Sequence, residues 1–283
     1  VIVGIDEASV DGNAPPDLAA LKAACQAAGS SLGFAFFRGA WGTWPDSLLD
    51  QRWVAAKRAG LTVGAYLYLR MTNSQPPEDQ VHAFADHVGM LNADDFVPAL
   101  DIEDAGFPPE KALEWSTRAW EELSKIYGAR PIVYLSSRVG TEVLGGLSLG
   151  GIADSPLWVT KPWPWKERTA AHLAYDGPPA VPAQWESGGQ ENYWFYQYQG
   201  DALPCPGFSA TVDINRFNTA RLGSKFGRVS WVQRRLGITQ SGVFGADTEA
   251  AVKAFQKQSH LVEDGIIGPK TAARLFWLPP PSR

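Results

Sequence analysis

The chain has 283 residues, of which 45% are hydrophobic and 19% charged, with a formal net charge of -5; that is room for one large folded domain and a small one, with no low-complexity tract. The absence of any Lys/Arg-rich run argues against nucleic acid as a partner. No apolar stretch approaches the roughly 18 residues needed to cross a bilayer, and the N-terminus has no basic segment followed by an apolar one, so neither a membrane anchor nor an export signal is expected.

Short apolar runs then alternate with helical patterns, as in successive βα units around a parallel sheet. Val1–Ile5 reads as a strand and Asp17–Ala28 as an Ala-rich helix; Gly33–Phe37 and Leu48–Ala59 follow in the same way. Thr62–Tyr68 precedes a helix over Pro77–Leu91, Phe96–Ile102 precedes one over Pro109–Tyr127, and Pro131–Leu135 is the fifth strand. After Ser155 the helices fade, and Leu157–Val159, Tyr193–Tyr198 and Ala210–Asp213 read as strands between Pro- and Gly-rich loops. The pattern predicts an α/β fold, an irregular TIM-like β/α barrel over 1–219, whose chemistry would gather at the C-terminal strand ends.

Arg221–Arg228, with Gly223, Gly227 and three basic residues, reads as a short linker, placed at 220–227. Beyond it, Gly242-Val243-Phe244-Gly245-Ala246-Asp247-Thr248 recurs 23 residues later as Gly265-Ile266-Ile267-Gly268-Pro269-Lys270-Thr271. Each copy leads into a helical pattern, with the Thr placed to steady the helix start. With Val229–Leu236 as a first helix, 228–283 is expected to form a small three-helix domain.

Within Leu100-Asp101-Ile102-Glu103-Asp104, residues two apart on a strand project to one side, which puts the Cβ atoms of Asp101 and Glu103 roughly 6–7 Å apart. Carboxyls that close cannot both ionise freely, so one of them tends to hold a proton, and a proton donor beside an anion is what glycoside hydrolysis uses. An isolated Asp-x-Glu is more often a loop cap. Here Asp6 ends the first strand and Asp213 the last, so four carboxylates would converge. The chain holds twelve Trp, and Trp41 and Trp44 after the second strand, Tyr66, Tyr68, Tyr134, Tyr196 and Tyr198 would ring the acids with platforms for sugar faces.

Other chemistries find less support. His82, His87, His172 and His260 make no metal-binding spacing, and no G-x-S-x-G elbow or phosphate-cradling glycine loop is present, so no metal or cofactor is expected. Two cysteines, Cys25 and Cys205, are too few for a disulfide framework; free thiols are the preferred reading, a single bridge the other.

On Gly4-Ile5-Asp6, Ala59–Tyr66, Leu100-Asp101-Ile102-Glu103, Pro131-Ile132-Val133-Tyr134, Gln197-Tyr198 and Val212-Asp213-Ile214-Asn215, the first 219 residues resemble the glycoside hydrolase family 25 muramidases. That resemblance implies cleavage of the β-1,4 bond between N-acetylmuramic acid and N-acetylglucosamine in peptidoglycan. It makes Glu103 the general acid/base and Asp101 the carboxylate that steadies the reacting sugar, with Asp6 and Asp213 tuning the pair. Tyr66, Tyr68, Tyr134, Trp41, Trp158, Gln197 and Tyr198 become substrate-binding candidates. The chain departs from the family pattern at Arg38-Gly39-Ala40-Trp41-Gly42, at Leu67 and at Tyr196-Gln197-Tyr198, changes that bear on the subsites more than on the acids. A chitinase-like barrel would carry an Asp where Ala99 stands.

The segment Phe226–Leu278 resembles the three-helix peptidoglycan-binding domain of cell-wall hydrolases, on Val232–Leu236, the two Gly-rich repeats and Ala251–Gln256. Together the two resemblances imply an enzyme that acts at the bacterial wall, secreted or phage-encoded. The alternatives are a non-catalytic wall-binding protein or a barrel glycosidase acting on another N-acetylglucosamine polymer.

Overall fold

A computed structural model of the chain describes residues 1–8, 16–160, 170–174, 193–225 and 227–279; the ends expected for the second module, Phe226 and 280–283, lie outside these. Strands β1 (Ile2–Glu7), β2 (Ser31–Trp41), β4 (Thr62–Tyr68), β5 (Ala99–Asp101), β6 (Ile132–Ser136), β7 (Leu157–Thr160), β8 (Phe195–Ala202) and β9 (Val212–Phe217) form a closed barrel, and a short β3 (Trp44–Pro45) folds back on β2. The strands pair in parallel from β1 through β8, with β3 outside that series; β9 runs antiparallel to both β8 and β1 and so closes the ring. Helices α1 (Leu18–Ala27), α2 (Leu49–Arg58), α3 (Pro77–Val88) and α4 (Pro109–Tyr127) cover the outside.

These helices start and stop where local chemistry dictates. The Asp17 side chain accepts the amides of Ala19 and Ala20 at the head of α1. Prolines open α3 and α4, and Gly128, left-handed at φ 67°, closes α4. Strand β5 is shorter than the apolar run Phe96–Ile102 because Pro98 has no amide to give the ladder; Phe96 N–H still donates to the Val63 carbonyl and Ile102 N–H to that of Tyr134.

Strand alternation divides the apolar residues into two cores. Ala35, Phe37, Val63, Leu67, Leu100 and Val133 face the helices, whereas Phe34, Phe36, Phe96, Trp158, Phe195 and Phe217 fill the barrel. The barrel is that crowded because two inward positions have no side chain. A Cβ on Gly4 would lie 2.3 Å from the Phe34 ring, and one on Gly64 2.2 Å from Phe36. Cys25 and Cys205 are both buried free thiols in the outer core, and burial pushes Cys205 up to about 12. Among the described residues no helix is long and apolar enough to cross a membrane.

Helices α5 (Gly227–Arg235), α6 (Ala246–Gln258) and α7 (Pro269–Phe276) form the C-terminal module. Its repeat has a physical cause in two buried glutamines, also 23 residues apart. The Gln233 carboxamide donates to Val243 O and Thr248 Oγ1 and accepts the Gly242 amide. Gln256 does the same with Ile266 O, Thr271 Oγ1 and the Gly265 amide. Gly242 and Gly265 turn in the left-handed region, at φ 70° and 73°, where a Cβ is penalised. Each Thr thus holds the preceding helix to the next turn.

This module is packed on the N-terminal ends of the barrel strands. The Phe276 ring lies 5.3 Å from Trp194, 5.7 Å from Trp231 and 6.1 Å from Phe96. Trp277 Nε1 donates to Asp95 O, and Arg274 pairs with Asp94 at 2.6 Å. Within the expected linker, Ala220 bridges to Ile267 and Lys225 to Val243. Since Phe276 completes a core shared by both parts, Phe276→Ala is expected to destabilise the whole chain by about 3–5 kcal/mol and to lower one common melting transition in calorimetry. A barrel transition left at its original temperature would contradict the shared core.

Candidate active site

Inward positions at the C-terminal strand ends carry polar groups in place of the phenylalanines below them. Asp6 sits on β1, Asp101 ends β5, Thr160 ends β7, Gln197 is on β8, and Asp213 and Asn215 are on β9. The carboxamide of Gln197 is the hub. Its oxygen accepts Tyr134 OH at 2.8 Å and Thr160 Oγ1 at 2.7 Å. Its nitrogen lies 3.0 and 3.1 Å from the two Asp6 oxygens and 3.0 Å from Asp213 Oδ2. Asn215 Nδ2 donates to Asp6 Oδ1 at 2.6 Å, while Asn215 Oδ1 accepts Trp158 Nε1 at 2.8 Å. The Asp201 amide donates to Asp213 Oδ1 at 2.7 Å. Such a buried network is rigid because each deletion would leave partners unsatisfied.

Asp101 and Glu103 stand apart from this hub. Asp101 is 4% exposed, and its Oδ1 has no hydrogen-bond partner among the described residues. Burial first, then the charges of Glu103 and Asp6, hold its carboxyl well above the ordinary range; Arg38, which pairs with Asp46 at 3.1 Å, pulls the other way. Glu103 lies just beyond the end of β5. Burial, followed by the charges of Asp6 and Asp104, raises it to about 7. Asp104 fastens this loop to the end of β4 by accepting Arg70 Nε and the Met71 amide, each at 3.0 Å. A Cβ on Gly106 would come within 2.3 Å of the Met71 carbonyl, so the same loop is pressed tightly against that segment.

Glu103 opens into a cleft of about 590 Å³ lined also by Tyr68, Phe107, Ser136, Arg138 and Thr160. Burial and the charges of Asp101, Glu103 and Asp104 hold the Tyr68 phenol well above its ordinary value, so it faces the cleft as a neutral donor. Among the described residues no three His, Cys, Asp or Glu gather as a metal site would need. The arrangement supplies what acid catalysis at a sugar linkage needs: a desolvated carboxyl that keeps its proton near neutral pH and a second carboxyl beside it.

Of the residues expected at the site, Asp6, Asp101, Glu103 and Asp213 come together at one barrel end, with Tyr68 on the cleft wall and the exposed Trp41 6.4 Å from it. Gln197 and Tyr134 are buried under the acids and bond to each other. Tyr66 lies within the barrel core, edge-on to Trp158 at 6.3 Å. Trp158 itself is 1% exposed, packed at 4.8 Å against Tyr134, and has no free face for a sugar. Tyr198 points away: with Gln197 inward, the next residue must face the helices, and its hydroxyl donates to His172 O at 2.6 Å. Asn215 and Thr160 were not singled out from the sequence, although each stands two residues after an inward position, Asp213 and Trp158. Arg38 bears on Asp101 from β2, and Arg70 and Asp104 brace the Glu103 loop; no local pattern signals those long-range pairings.

The model of the glycosyl hydrolases family 25 matches residues 23–204, and that of a putative peptidoglycan binding domain matches residues 227–275. Among solved structures, the chain is similar to a bacterial lysozyme from Streptomyces coelicolor, at 21% identity and a TM-score of 0.59, over 77% of this chain and 92% of that one. It is similar to a lysozyme from Aspergillus fumigatus at 18% identity and a TM-score of 0.57, covering 76% and 93%. The CTP1L endolysin matches at 18% identity and 0.56, covering 77% and 67%. At such identities the likeness speaks for the fold. No curated protein matches.

The raised carboxyl of Glu103 also affects stability. Folding favours its neutral form, so its contribution is complete below the ordinary value of 4.5 and is lost as pH rises through about 7. Glu103→Gln, permanently neutral, is therefore expected to melt with the parent at pH 4 and several degrees above it at pH 8, a gain of roughly 1–3 kcal/mol. Equal melting temperatures at pH 8 would contradict the burial of this charge.

Proposed function

The chain belongs to the glycosyl hydrolases family 25, and from that membership we propose the residue roles by which it hydrolyses peptidoglycan. Its substrate bond is the β-1,4 linkage between N-acetylmuramic acid and N-acetylglucosamine. Glu103 gives its proton to the glycosidic oxygen as the bond from C1 breaks, and takes one back from the water that completes hydrolysis. Asp101 faces the sugar losing its leaving group, either against the developing positive charge or against the N–H of the 2-acetamido group as that group's carbonyl oxygen closes on C1. Its position at the end of β5, where the charge of Glu103 acts on it, supports this placement. Asp6, held through Gln197 to Asp213, and Asp104 set the field in which Glu103 remains protonated.

The observation that carries this reading is the pairing of two desolvated carboxyls, Asp101 buried at the end of β5 and Glu103 on the cleft wall, raised to about 7. The intact hydrogen-bond network around Asp6 and Asp213 favours an enzyme over a decayed barrel that only binds the wall. We assign catalysis to 1–219 and wall attachment to 228–283, with 220–227 joining them; attachment raises the local concentration of an insoluble substrate. The chain acts on the cell wall, as a secreted or phage-encoded enzyme, and its net negative charge supports a glycan partner over nucleic acid.

Mass spectrometry of digested peptidoglycan tests the assignment. New reducing ends on N-acetylmuramic acid are expected from the parent chain, and a loss of at least about 100-fold in their rate of appearance in Glu103→Gln. Reducing ends on N-acetylglucosamine, or undiminished cleavage by the variant, would overturn it.

A further inference from the structure

The second barrel strand is longer than the barrel requires. It runs on to Trp41, turns at Gly42 in the left-handed region (φ 61°) and returns as β3, with Trp41 paired against Trp44. The two indoles stack at 5.1 Å with 28° between their planes, and they are 39% and 53% exposed. Exposed singly, large apolar side chains need no explanation; two stacked on each other at the rim of a cleft present a continuous apolar face.

The hairpin is held as a rigid piece. Gly42 N–H donates to the Tyr68 carbonyl at 3.0 Å, and a Cβ at Gly42 would lie 2.3 Å from the Gln75 carboxamide oxygen, so the turn is packed from behind. Asp46, just after β3, donates its amide to Gly39 O and pairs with Arg38. The guanidinium of Arg70 lies 4.0 Å from the centre of the Trp41 ring, and the same Arg70 bonds to Asp104, the residue after Glu103. The platform and the proton donor are thereby braced against a common element.

Register places this face in line with the acids. Trp41 pairs with Tyr68, Tyr68 with Asp101, and Asp101 with Tyr134, one level across four adjacent strands. Two strand spacings, about 10 Å, separate Trp41 from Asp101. Tyr68 lies between them, sharing the cleft with Glu103 and standing 6.4 Å from Trp41. Tyr68 thus stands between the Glu103 cleft and the paired tryptophans.

We propose that the Trp41–Trp44 hairpin is a distal glycan-binding platform, which stacks a sugar ring of the strand being cut, beyond the rings flanking the scissile bond. This rests on the hydrolase reading above. The ligand class is a β-1,4-linked N-acetylhexosamine chain, whose pyranose rings carry apolar C–H faces that match an indole. Binding at a remote ring holds the strand in place over Glu103, so its benefit grows with chain length.

The test uses the full chain, its Trp44→Ala variant and the conservative Trp44→Phe. Intrinsic fluorescence is titrated with peptide-free peptidoglycan glycans of two and of eight sugars, and kcat/KM is measured on the longer one. Circular dichroism checks that each variant is folded. Trp44→Ala is expected to weaken binding of the eight-sugar glycan about three- to tenfold, to lower kcat/KM in proportion and to leave the two-sugar affinity unchanged, with Trp44→Phe restoring most of the loss. Equal eight-sugar affinity in the parent and Trp44→Ala, or no binding by the parent, would overturn the platform. Binding that depends on Trp44 without cleavage by the parent would uphold the platform and overturn the hydrolase reading instead.

Discussion

Four acidic side chains share one dry end of a closed barrel, and the rest of the site is arranged around their mutual repulsion. Left alone, carboxylates this crowded and this poorly hydrated would take up protons or force the end of the barrel open. Two of them, Asp6 and Asp213, are bound through a single carboxamide, Gln197, whose oxygen is pinned in turn by Tyr134 and Thr160. Asp101 is lowered by the charge of Arg38 but raised more by burial. Glu103, at the margin, is raised to about 7 by burial and by the charges of Asp6 and Asp104. Partners thus divide the four: Asp6 and Asp213 are hydrogen-bonded through Gln197, whereas burial raises both Asp101 and Glu103.

Holding that arrangement requires a stiff support. Aromatic rings occupy the barrel up to the level of Trp158, whose indole N–H reaches Asn215 and so joins the apolar filling to the polar layer above it. At the other end the C-terminal helices seal the barrel with Phe276 and Trp231. The wall-binding module thus serves as the floor of the core and lies opposite the cleft.

Much of this was legible because period and chemistry agree. The alternation of βα units gave the barrel, and strand ends bearing Asp6, Asp101 and Asp213 gave the acids. The limits were equally physical. Tyr198 was expected on the cleft, but one residue of parity separates the inward Gln197 from the outward Tyr198. Trp158 and Tyr66 look the same in sequence as cleft aromatics, and only their depth in the barrel distinguishes them. The Trp41–Trp44 hairpin depends on a left-handed Gly42 packed by Gln75, and the Arg38 and Arg70 braces depend on pairings across the fold; neither leaves a local signal. The Gly-rich repeat identified the small module, while its docking depends on aromatic side chains whose partners lie far away in the chain.

The central claim is that desolvation, with the charges of Asp6 and Asp104, makes Glu103 the proton donor. Carbon-13 NMR of the carboxyl groups through a pH titration, with Glu103 assigned by its loss in Glu103→Gln, reads this directly. The account predicts a Glu103 midpoint of about 7, with the Asp101 resonance moving in step as the two sites couple. A Glu103 midpoint at the ordinary value of 4.5, independent of Asp101, would contradict it.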